Sequence, residues 1–159
     1  MTIKLIQSCL EIRPFGTLTD MNPKRTLLIL MTAFAAMWIT DLVTHELILR
    51  EDYLSLKIWR DEETMRNLLK WLVVGDFMAA AGMTVIWINR CAPNTTRAFS
   101  AVRFGFFAGL LSNAYVPILF TVLPLPGILC FKWVLFGILQ SIVVSLVLYY
   151  TTRALAKAA

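Results

Sequence analysis

The chain has 159 residues, 58% of them hydrophobic and 16% charged, with a formal net charge of +5. That apolar share lies far above the usual share of a soluble domain, so a soluble globular fold is excluded. The Lys and Arg residues are spread over every polar connection instead of forming one patch, which argues against nucleic acid as a partner and for orientation in a bilayer.

Residues 1–20 are read as an N-terminal extension. Ile3, Ile6 and Leu10 fall on one side of a short helix, with Lys4, Gln7 and Glu11 opposite, as in a helix lying in a membrane interface. The alternative is a start-site extension, because Met21-Asn22-Pro23-Lys24-Arg25 reads as a beginning in its own right. The domain proper is expected over 21–159.

Four apolar stretches follow, at about 24–44, 68–89, 100–123 and 128–151. Each is long enough to cross the ~30 Å hydrocarbon core as a helix. The expected fold is an all-α membrane protein, a four-transmembrane-helix bundle with a partly helical external loop. The first span opens after Pro23, which suits a first helical turn, and exits through Trp38, Asp41, His45 and Glu46. Trp38 is an expected interface anchor. Asp41 and His45 share a helix face at four-residue spacing. A carboxylate there can orient an imidazole for a metal or for catalysis, yet the chain holds a single histidine and few further ligands. A helix-end polar cluster that anchors the loop is the simpler reading.

The connection 46–67 mixes both charges with Leu, Tyr53 and Trp59. It is too apolar for a solvated linker, and short surface helices are expected, with Tyr53, Trp59 and Arg60 as interface anchors. Small residues recur at helical spacing in the later spans: Gly75, Ala79 and Gly82 in the second, Gly105 and Gly109 in the third, Gly137 and Ser141 in the fourth. Such stripes let helix backbones approach closely, either inside one bundle or across a dimer. Pro117 is expected to kink the third span, and Pro124-Leu125-Pro126-Gly127 to turn tightly into the fourth.

Asp76 sits near the middle of the second span, where a carboxylate costs at least ~2.5–3.5 kcal/mol and should face the bundle. Arg103, Asn113, Tyr115 and Gln140 are its candidate partners. It reads as a proton or ion relay, or else as a protonated structural acid. The cysteines Cys9, Cys91 and Cys130 lack pairing or metal-ligand spacing and read as apolar filler.

Counting basic residues by side puts nine with the two termini (Lys4, Arg13, Lys24, Arg25, Arg90, Arg97, Arg103, Arg153, Lys157) against six opposite (Arg50, Lys57, Arg60, Arg66, Lys70, Lys132). Both termini are therefore expected in the cytoplasm.

The order Asp41-Leu42-Val43-Thr44-His45-Glu46-Leu47, then Asp52-Tyr53, then Ile58-Trp59-Arg60 with Met65, resembles a family of small four-span bacterial integral membrane proteins. Val102-Arg103-Phe104-Gly105 and Pro124-Leu125-Pro126 extend the resemblance over roughly 21–150. It implies a bacterial inner-membrane protein without an established activity, so no catalytic residue is carried over. The functional expectation is a non-catalytic accessory or scaffolding subunit of a larger inner-membrane complex, respiratory or photosynthetic. Its expected partners are the bilayer and other membrane subunits. No cofactor is expected from this chain alone; a bound lipid, quinone or pigment belongs at an interface. The alternative is a small transporter or channel subunit using Asp76.

Overall fold

A computed structural model describes residues 22–56, 61–92 and 97–157. Among these residues every regular element is a helix. Residues 1–20, Trp59 and Arg60, with the expectations placed on them, lie outside the described residues.

Helix α1, Pro23–Leu42, starts where the sequence demands. Pro23 needs no N–H partner in the first turn, and the Asn22 side chain accepts the Lys24 N–H at 3.0 Å. It runs on as a wider, π-helical stretch, Val43–Ile48, which closes with Leu49 N–H bonded to the Thr44 carbonyl five residues back at 2.9 Å. Helix α2, Arg50–Leu54, is a single turn in the connection.

Helix α3, Glu62–Ile86, begins several residues ahead of the expected span. Asp61 is the reason. Its carboxylate accepts the Thr64 N–H at 2.8 Å and the Thr64 hydroxyl at 2.7 Å, a strong N-terminal stop. Arg66 and Lys70, expected in the connection, therefore lie exposed on the helix itself. A π-helical turn, Trp87–Cys91, ends it.

The third span divides into α4, Ala98–Ser112, and α5, Val116–Val122. Pro117 has no N–H for the Asn113 carbonyl, which takes the Val116 N–H at 3.1 Å instead. The expected kink is thus a tightened turn, forced by the missing donor and the ring's bulk. Helix α6, Gly127–Lys157, is the longest, 31 residues or about 46 Å.

Four helical segments are long and apolar enough to cross a membrane: Pro23–Ile48, Glu63–Cys91, Ala98–Val122 and Gly127–Lys157. The protein is an all-α, multi-pass membrane protein whose apolar helices meet lipid. The spans run up and down. Contacts of α6 descend in register along each neighbour: on α1, Thr32 with Thr151 and then the Met37 carbonyl with Gln140; on α4, the Ala101 carbonyl with Ser145 and then Gly109 against Ile138. Helix α6 is central, packed on α1 and α4, while α3 leans on α1 and meets α6 only marginally.

The ends of the bundle differ. At the terminal end, which holds Asn22 and the close of α3 and α6, a core forms around fully buried Trp87 with Ile29, Ala101, Leu148 and Tyr149. Trp87 meets the Phe104 ring at 5.6 Å and Tyr149 edge-on at 6.5 Å, and its indole N–H donates to the Thr152 hydroxyl at 3.4 Å. At the loop end a smaller core of Val116, Leu125 and Cys130 closes α5 onto α6.

Candidate functional site at the loop end

The π-helical widening after Leu42 and the single turn of α2 bring Tyr53 back over the end of α1. The His45 and Tyr53 rings stack with centroids 5.6 Å apart and an interplanar angle of 11°. The Tyr53 hydroxyl is also hydrogen-bonded to His45 Nδ1. From α6, the Trp133 indole N–H donates to that hydroxyl at 2.8 Å. Indole can only donate, so the hydroxyl accepts from Trp133 and makes its bond to His45 Nδ1 alongside. On the other side of the ring, His45 Nε2 faces Asp41 Oδ1 at 3.5 Å. Trp133, Tyr53, His45 and Asp41 form one contiguous polar chain.

Beside it, Lys132 Nζ donates to Asp52 at 2.7 Å, with both side chains partly covered. This pair ties α6 to the connection next to Tyr53. Burial pushes the Tyr53 phenol well above its ordinary value. The Trp133 hydrogen bond opposes the shift, and the negative charges of Asp41, Asp52 and Glu46 reinforce it. Tyr53 is a neutral donor at every physiological pH.

Asp76 lies on the bundle side of α3, and its Oδ2 is buried with no hydrogen-bond partner among the described residues. The candidate partners are elsewhere. Arg103 and Tyr115 are exposed. Asn113 donates to the Gly109 carbonyl at 2.8 Å, and Gln140 to the Met37 carbonyl at 3.1 Å. Glu46 is exposed and Trp38 half-buried.

The small-residue stripes have two fates. A β-carbon on Gly105 would stand 2.6 Å from Ile142 Cα, and one on Gly109 2.7 Å from Ile138 Cα. Gly137 likewise receives the Asn113 side chain, whose Cγ would lie 2.6 Å from a β-carbon there. Ser141 is buried at the same contact. Gly75, Ala79 and Gly82 lie exposed on the back of α3, and a β-carbon on either glycine would meet nothing within 4 Å.

Lys132 and Trp133 were not singled out from the sequence as site residues. Lys132 enters the sequence reading only in the count of basic residues by side, and no spacing rule relates Trp133 to Tyr53 eighty residues earlier. Among the described residues no three His, Cys, Asp or Glu side chains converge as a metal site would require. No protein-family model, curated protein or solved structure matches the chain.

Proposed function

We propose that this chain is a non-catalytic accessory or scaffolding subunit of a larger complex in a bacterial inner membrane, respiratory or photosynthetic, with both termini cytoplasmic. The observation that carries this reading is the back of α3. Ala80, Thr84 and Trp87 occupy the buried face of that helix. Gly75, Ala79 and Gly82 lie on the opposite face and are open. Two glycines on an unpacked helix surface weaken the helix by up to about 1 kcal/mol each, with no packing inside this chain to offset them. Small residues in this pattern suit a further transmembrane helix from another subunit.

A photo-crosslinking residue at Ala79, with the full chain in native membranes, tests the proposal. The expected result is one discrete adduct with a different membrane protein, reduced about tenfold in Gly75→Leu/Gly82→Leu and missing from a probe at exposed Phe131. Adducts with lipid alone, or only with a second copy of this chain, would remove the subunit reading.

A second reading, a small transporter or channel subunit, is favoured by Asp76, whose Oδ2 is buried in mid-span without a hydrogen-bond partner among the described residues. It requires that Asp76→Asn abolish a proton- or ion-dependent flux in reconstituted vesicles while assembly is retained. Unchanged flux in that variant excludes it.

A further inference from the structure

Three buried side-chain oxygens have no hydrogen-bond partner among the described residues: the Thr26 hydroxyl, Asp76 Oδ2 and the Thr84 hydroxyl. All three belong to α1 or α3. The buried serines between α4 and α6 differ. Ser145 donates to the Ala101 carbonyl at 2.8 Å and Ser141 to the Gly137 carbonyl at 3.0 Å. An enclosed polar oxygen is costly in a membrane unless something bonds it. Orphans gathered on one helix pair are therefore a property of that seam, and water is the usual partner of such groups.

The seam has an opening. At the terminal end a cavity of about 400 Å³ is bounded by Arg25 and Ile29 of α1, by Trp87 and Ile88 at the end of α3, and by residues of α6. Thr26 follows Arg25 directly in the first turns of α1. Thr84 lies one turn of α3 inward from Trp87, about 4.5 Å along the axis, and is 2% exposed. Asp76 stands about 12 Å deeper, near the middle of its span. Between them is Ala80, fully buried and small. Along this length α3 leans on α1 and meets α6 only marginally.

We propose that water enters the α1–α3 seam from this cavity, passes the Thr84 hydroxyl and reaches Asp76, and that the ion exchanged there is the proton. The proposal deepens the transporter reading of Asp76 and rests on it for the use made of that proton. A hydroxyl both accepts and donates, which suits relay through water. Hydronium gives its proton to Asp76 Oδ2 and leaves as water; the reverse step returns it. A divalent cation fits less well. It takes about six oxygen ligands, and no three His, Cys, Asp or Glu side chains converge among the described residues.

The test is thiol chemistry on the full-length chain in phospholipid vesicles. Only a thiolate reacts with methyl methanethiosulfonate, and a thiol enclosed by apolar side chains stays protonated. Peptide mass spectrometry reads each site separately, so the native cysteines stay in place. Thr84→Cys and Asp76→Cys are expected to react at least about tenfold faster than Ser145→Cys, whose thiol is fully buried between α4 and α6. Adding Thr84→Val to Asp76→Cys should bring its rate down to that of Ser145→Cys. Asp76→Cys as slow as Ser145→Cys overturns the proposal. So does a rate in Asp76→Cys that Thr84→Val leaves unchanged, which would bring the water from elsewhere. Should Asp76→Cys fail to fold by thermal melting, Ala80→Cys is read in its place with the same two outcomes. Flux in Asp76→Asn vesicles separates the two readings. Flux lost in Asp76→Asn together with slow thiols overturns the water path and keeps the transporter. Fast thiols with flux unchanged uphold the path and remove the transporter. A wild-type flux that follows a sodium gradient and ignores pH overturns the assignment to the proton.

Discussion

The Tyr53 hydroxyl bridges Trp133 and His45, and burial keeps it protonated. A tyrosine in the unfolded chain ionises near pH 10; burial in the fold raises that value. Above about pH 10 the unfolded state therefore loses this proton first. The contribution of the group to stability is whole below pH 10 and is lost as pH climbs toward the folded value. Tyr53→Phe removes both hydrogen bonds and the titration together. It should cost about 0.5–1.5 kcal/mol per lost bond at neutral pH, and the gap to wild type should narrow in the alkaline range. Unfolding in detergent across that range checks this; a gap that widens with pH would reverse the sign assigned to Tyr53. His45 and Asp41 at four-residue spacing were legible in the sequence. The bridge through Tyr53 to Trp133 was not, because it brings in an indole donor eighty residues away.

At the scale of helices, two glycine stripes that look alike in the sequence are physically opposite. Gly105 sits against the α6 backbone, so Gly105→Ala forces the helices apart. This overpacking should destabilise the chain by about 1–3 kcal/mol. Gly82→Ala meets nothing and should be neutral, or stabilising by up to about 1 kcal/mol through helix propensity. Thermal melts of the two variants in one detergent should shift in different directions, and a loss of stability in Gly82→Ala comparable to that of Gly105→Ala would mean that the back of α3 is covered within the chain. The element boundaries follow local chemistry. Asp61 caps α3 and moves its start toward the connection, and Asp61→Ala should cost about 0.5–2 kcal/mol in the same melts. Pro117 divides α4 from α5 for want of one N–H.

Across the whole molecule, the terminal end is basic and closed around Trp87, while the loop end is mixed in charge and tied by side-chain bonds. Trp87→Ala would remove a fully buried ring that touches α4 and α6 from the end of α3. It should cost about 3–5 kcal/mol, read as a cooperative loss of the bundle. The proposed orientation makes a separate demand. A topology reporter fused after Lys157 should register in the cytoplasm and one inserted at Leu56 on the opposite side; the reverse pattern would overturn the cytoplasmic placement of the termini.

Apolar run length and composition determined by themselves that this chain is a four-span, all-helical membrane protein, because a bilayer leaves a segment of about 20 apolar residues little choice but to form a helix. Local capping and proline chemistry determined where several helices start and break. Only the tertiary structure decided which helix meets which. It gave the stripe on α4 to α6 and left the one on α3 open. It joined Tyr53 to Trp133 and Asp52 to Lys132, left Asp76 without its candidate partners, and set Arg25 and Arg153 on one cavity. Each of these relations links residues far apart in sequence, and helical periodicity marks a face without naming what lies across from it.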